Sequence, residues 1–132
     1  MIVLDTHAWI WYVDSPENLS AAAREAIDSA RVAGGQANLS CISSWEVHML
    51  VMKRWLDLSV PSDIWVSRCE RLSFLRFHPV DNDIARLATL ECGRMHGDPA
   101  DRIITATALY LGAKLVTRDR KIHDSGLVDC IW

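Results

Sequence analysis

The sequence predicts an α/β fold, a three-layer α/β/α sandwich with a small, mostly parallel central sheet. Two observations carry this. Short apolar runs of strand length alternate with segments of helical periodicity along the whole chain. The chain has 132 residues, half of them hydrophobic, which suits one soluble globular domain over 1–132 with no room for a second.

Residues 1–5 read as a short buried strand, and 6–13 as a helix stopped before Ser15-Pro16. Ser20 caps a helix over 20–32. A strand follows at 37–42, then a long helix at 44–56 and a shorter one after Pro61. Residues 74–77 are a candidate strand, and 82–95 and 99–111 are helices, the second opened by Asp98-Pro99 and stopped at Gly112. Residues 114–117 form a strand, and 127–131 are a candidate further strand.

No apolar run approaches the ~20 residues of a membrane span, and Met1-Ile2-Val3-Leu4-Asp5 lacks the basic start of a signal peptide. Cys41, Cys69, Cys92 and Cys130 form no C-x-x-C pair. Three of them lie in apolar or helical stretches and read as small buried residues, and the setting reads as reducing and cytoplasmic. A net charge of -3 argues against a broadly basic nucleic-acid binder. The only lysines are Lys53, Lys114 and Lys121, so the basic residues are mostly arginine, which leaves room for a local anion-binding patch.

Sheets of this kind bind ligands at the carboxyl ends of their strands. Asp5 ends the first strand, and Glu46 is placed in the first turn of the helix after the second. Asp101 lies in the first turn of the helix opened by Asp98-Pro99, and Asp119 follows the strand at 114–117. All four acids are therefore expected at one edge of the sheet. Each also has a local structural use. Asp5 can cap its helix, and Ser43-x-x-Glu46 matches a capping box. Asp98 and Asp101 suit the start of a helix, and Asp119 can cap a short turn through Arg120-Lys121.

Gathered together, the acids need more than capping. Two like charges ~4 Å apart repel by about 4 kcal/mol at an effective dielectric of about 20. Such a cluster raises its own pKa values unless a cation neutralises it. Carboxylates without His or Cys ligands suit Mg²⁺ or Mn²⁺ rather than zinc. The chemistry such a site supports is metal-assisted phosphodiester hydrolysis, in which the ion activates a water and polarises the phosphoryl oxygen.

Four motifs stand in order along the whole chain. They are Met1-Ile2-Val3-Leu4-Asp5-Thr6-His7, Ser43-Ser44-Trp45-Glu46, His96-Gly97-Asp98-Pro99-Ala100-Asp101-Arg102 with Ile104-x-Ala106-x-Ala108, and Leu115-Val116-Thr117-Arg118-Asp119. Together they resemble the PIN-domain ribonucleases, in particular the VapC-type toxins of type II toxin–antitoxin systems. The resemblance implies an endoribonuclease dependent on Mg²⁺ or Mn²⁺, acting on RNA as a homodimer and silenced by a cognate antitoxin protein. It implies Asp5, Glu46, Asp101 and Asp119 as the catalytic acids, with Asp5 and Asp101 as principal metal ligands and Thr6 and Thr117 in support. Ala100 stands where many relatives carry a bulky aromatic.

The chain has six tryptophans. Trp9, Trp11 and Tyr12 crowd one short helix, and Trp45, Met49, Met52 and Leu56 form one face of another. Core packing explains much of this. Trp9, Trp11, Trp45, Met49 and Met52 are also candidates for a groove covered by a second subunit or an antitoxin segment. Arg102, Arg118, Arg120 and the adjacent Lys121 read either as solvated ion-pairing residues or as RNA phosphate contacts. No histidine has metal-ligand spacing; His7 lies near the site, and His96 is read as shaping the turn before Asp98.

Two rival functions remain. A phosphoaspartate phosphatase needs a second acid two residues after Asp5, where His7 stands. The other is a catalytically silent module that binds a protein or RNA partner.

Overall fold

The computed structural model describes residues 1–95 and 97–132; His96 lies outside the described residues, and so does its expected role in the turn before Asp98. Among the described residues the strands are β1 (Ile2–Leu4), β2 (Ala37–Ser40), β3 (Leu75–His78), β4 (Lys114–Val116) and β5 (Cys130–Ile131). The helices are α1 (Thr6–Asp14), α2 (Ala21–Val32), α3 (Cys41–Met52), α4 (Ser62–Glu70), α5 (Asn82–Leu90), α6 (Pro99–Leu111) and α7 (Arg120–Ser125). The strands form one sheet in the order β3-β2-β1-β4-β5, with every pairing parallel.

This order carries the function of the fold. The chain leaves β1 toward β2 and β3, then crosses back to build β4 and β5 on the other side. The direction reverses at β1 and β4, and a crevice opens beyond the carboxyl ends of strands at such a point. The central strand explains the three layers. Ile2 and Leu4 pack into one apolar cluster with Trp9, Ile27 and Trp65, while Val3 packs into another with Ile84, Ile104 and Ile122. Alternate side chains of one strand thus feed two cores, which is why the β1 run is apolar throughout.

Helix α6 begins and ends where its residues dictate. Asp98 Oδ1 accepts from the Ala100 and Asp101 amides at 2.9 and 3.3 Å, Pro99 occupies the first position, and Gly112 ends the helix at φ 61°. Other boundaries moved. Helix α3 starts at Cys41 directly from β2, because Ser40 Oγ accepts from the Ile42 amide at 3.3 Å. Glu46 therefore stands in the second turn, and Ser43 is a buried helical residue rather than a cap. The helix stops at Met52, short of 56; soon after, Arg54 turns to a left-handed φ of 58°. Helix α5 ends at Leu90, with a separate 3-10 turn at Cys92–Arg94. Asp119 caps a full helix, α7, where only a short turn was expected, and β5 is confined to Cys130–Ile131. Among the described residues no helix is long and apolar enough to cross a membrane.

Trp9 corrects the expected partner groove. It is 0% exposed, wedged against Trp65 at 4.9 Å and Phe77 at 5.4 Å between ring centroids. An apolar helix buried along this side must hide Trp9, so it faces the core and no partner.

Candidate functional site

The site grows from the carboxyl end of β1. Asp5 follows that strand and caps α1, with its Oδ1 accepting from the Thr6 amide at 2.7 Å. Its Oδ2 accepts from Thr117 Oγ1 at 2.7 Å. The same Thr117 oxygen accepts from the Asp119 amide at 3.0 Å. One hydroxyl at the end of β4 thus positions two acids. Asp119 in turn caps α7, accepting from the Lys121 amide at 2.8 Å. Burial raises the Asp5 carboxyl above its ordinary range, against the lowering effects of Thr117, His7 and the Thr6 amide, and Asp119 adds to the rise.

Thr6 forms the second link. Its hydroxyl donates to Glu46 Oε1 and lies 2.9 Å from Ser43 Oγ. A hydroxyl has one proton, so with that proton on Glu46 it is Ser43 that donates to Thr6. Glu46 is pushed up to about 7, chiefly by burial, with the Asp5, Asp101 and Asp98 charges adding to the rise and Thr6 opposing it.

The acids share one cavity of about 400 Å³, lined by Asp5, Glu46, Asp98, Asp101 and Asp119 together with His7, Trp11 and Arg118. Asp98 thus reaches the cavity as well as capping α6. His7 and Trp11 stand four apart on α1 and so share a face. That spacing in the sequence already paired Trp11 with the site side of the helix.

Among the described residues, no group of three His, Cys, Asp or Glu side chains is close enough to form a ready-made metal cage. Magnesium asks for less, since it binds through one or two carboxylates and keeps several waters. An all-oxygen set in which burial holds Asp5 and Glu46 above their ordinary range fits a hard divalent cation.

The cationic candidates separate. Arg118 lines the acidic cavity, its guanidinium carbon 5.5 Å from the Trp11 ring centroid. Arg120 stands in an adjoining cleft of about 800 Å³ shared with Arg118. Arg102 Nη2 donates to the carbonyls of Met95 at 3.1 Å and Gly93 at 3.4 Å, and Arg102 is not among the residues lining the acidic cavity. Lys121 is exposed on α7. Of the aromatic and Met candidates, Trp45 and Met52 are exposed, while Met49 and Trp11 are half-buried. Trp45 and Met49 line an apolar cavity of about 440 Å³ that shares Glu46 and Asp98 with the acidic one.

A pH effect follows. Glu46 rises from an ordinary 4.5 to about 7 on folding. The folded chain then holds a proton that the unfolded chain releases, so stability falls as pH rises through that window. The melting temperature of metal-free protein is expected to drop between about pH 5 and about pH 8, and Glu46→Gln to flatten the drop. Asp5 acts with the same sign. A parent profile that is flat or rising would contradict the burial of these carboxylates.

A family model described as PIN domain matches residues 2–126 of this chain. In sequence the chain is similar to Ribonuclease VapC22 of Mycobacterium tuberculosis, 31% identical over 122 residues that cover 92% of this chain and 89% of that protein. In structure it is similar to VapBC2 from Rickettsia felis bound to a DNA fragment from their promoter, with a TM-score of 0.68, 16% identity and coverage of 98% and 97% of the two chains. It is also similar to a toxin-antitoxin complex from Klebsiella pneumoniae, with a TM-score of 0.63, 21% identity and coverage of 92% and 88%.

Proposed function

The chain belongs to the PIN-domain family, and from that premise we propose that it is a divalent-metal-dependent endoribonuclease, the toxin of a toxin–antitoxin pair. The observation that carries this reading is the single cavity into which β1, α3, α6 and α7 bring five carboxylates. The naming of a similar protein as a ribonuclease and of a similar structure as a toxin-antitoxin complex supports it. The proposal extends to a cytoplasmic homodimer with RNA as substrate and a cognate antitoxin as partner.

When bound, Mg²⁺ or Mn²⁺ supplies positive charge for the phosphoryl oxygen and a water of lowered pKa. Asp5 and Asp101 would hold it. Asp5 is prepared for this, since Thr6 and Thr117 each take one lone pair of its carboxylate and fix its plane. Glu46, at about 7, is poised to take a proton from an attacking water near neutral pH. Its link to Thr6 holds it on the same side as Asp5. Asp119 completes the rim, oriented by the α7 amide it caps.

The test is cleavage of a mixed RNA pool by antitoxin-free protein. Cutting is expected with Mn²⁺ or Mg²⁺, and its complete loss with EDTA. Undiminished cutting in EDTA would exclude the metal. A folded, partner-free protein that cuts neither this pool nor total cellular RNA would point instead to a silent binding module.

A further inference from the structure

Among the described residues, two cavities share lining with the acidic one and offer a substrate strand a path away from it. The first is the apolar cavity of Trp45, Met49 and Trp55, reached past Glu46 and Asp98. The second is the cleft that shares Arg118 and contains Arg120, His123, Asp124 and Trp132. Charge distinguishes them. On the first path each phosphate passes two carboxylates, and Lys53 at the wall has its Nζ 4.8 Å from the Trp55 ring centroid. On the second path Arg118 and Arg120 have no ion-pair partner among the described residues, and Asp124 is the acid there. His123 Nε2 donates to the Thr117 carbonyl at 2.7 Å, which ties this cleft to the threonine that positions Asp5.

Aromatic rings run in the same direction. His7 and Trp11 stand in the acidic cavity with centroids 5.5 Å apart, and Trp11 meets Trp132 of the second cleft at 5.7 Å. Arg118 lies over the Trp11 ring and lines both cavities. A cationic groove with aromatic faces is the arrangement that binds single-stranded nucleic acid, through phosphate contacts and base stacking.

We propose that the RNA strand passes from the acidic cavity into the Arg118–Trp132 cleft, with Arg118 on the phosphate next to the one cut and Trp132 stacking a neighbouring base. Trp11 backs both groups, as a ring for the Arg118 guanidinium and a wall for Trp132. This rests on the ribonuclease reading of the acidic cavity. Stacking accepts any base, so Trp132 contributes affinity for single strands with little preference for base identity.

The test measures binding of a short fluorescent single-stranded RNA in EDTA by anisotropy, or KM for cleavage in Mn²⁺ where binding without metal is too weak to read. Trp132→Ala is expected to weaken binding about tenfold, and Trp132→Phe, which keeps a ring, to restore most of it. Arg118→Ala is expected to lower the slope of log affinity against log salt by about 0.7. Trp45→Ala and Trp55→Ala are expected to leave binding unchanged. Melting temperatures confirm that each variant folds. Parent-like binding by Trp132→Ala overturns the proposal, as does weakened binding confined to Trp45→Ala and Trp55→Ala. A Trp132→Ala variant that loses its dimer or its antitoxin while RNA binding is unchanged makes this face a protein interface instead. If the parent itself neither binds nor cuts RNA, the ribonuclease reading fails as well; if the parent cuts normally and Trp132→Ala binds as the parent does, only the strand path fails.

Discussion

Asp5→Asn is expected to cut RNA at least about 10²-fold more slowly than the parent, the scale of losing one group that stabilises charge in a transition state. It is also expected to fold. Asp5 is buried, and burial holds its carboxyl above the ordinary range, so its ionised form opposes folding. A neutral amide removes that opposition and the repulsion from Asp119. The Asn oxygen keeps the cap on the Thr6 amide, while its NH₂ meets Thr117 Oγ1, which must then turn its own proton elsewhere. These effects offset one another, and the metal-free variant is expected to melt no lower than the parent near neutral pH. Cleavage and thermal melting on the same preparations check both halves. Parent-like cutting by the variant would sink the assignment of Asp5, and a collapse in melting temperature would show that the hydrogen bond from Thr117 matters more than the charge.

Trp9→Ala is expected to cost about 3–5 kcal/mol of stability, the range for emptying a buried aromatic site. That is a large part of the 5–15 kcal/mol typical of a whole domain. The ring is 0% exposed and fills the space between α1, Trp65 of α4 and Phe77 of β3. Because α1 begins at Thr6, a loosened helix also disturbs the bonds from Thr6 to Asp5 and Glu46. Urea unfolding measures the loss directly. Trp45→Ala makes the contrast: that ring is 56% exposed, and its removal is expected to change stability by no more than about 0.5 kcal/mol. Equal stability of Trp9→Ala and the parent would return Trp9 to a surface role.

The two tryptophans show where sequence reasoning runs out. Trp9 and Trp11 sit two apart on a helix that is apolar nearly all round, so periodicity gives no direction to the core. The sheet supplies that direction by placing one side of α1 on Trp65 and Phe77 and leaving Trp11 beside Trp132 and Arg118. The start of α3 differs for a related reason. Ser43 matches a capping box in sequence, but the register of β2 against β3 pairs Ser40 with His78, and it is Ser40 that caps the helix. Arg102 looked equivalent to Arg118 and Arg120 beside the acids in sequence, yet it turns to the carbonyls of Gly93 and Met95.

The sequence by itself determined the alternating α/β order, the caps and stops of α6, and an acid at the end of β1, in α3, at the start of α6 and after β4. These are local properties, written in apolar period, in Pro and Gly placement and in capping side chains. Only the tertiary structure decided which acids share a hydroxyl, which tryptophan is core, and which cavity continues the acidic one. Thr117 reaches Asp5 across 112 residues of chain, and Thr6 reaches Glu46 across 40. Such contacts depend on the parallel pairing of β1 with β4 and with β2. Strand order is settled by the packing of whole layers, which no short stretch of residues encodes.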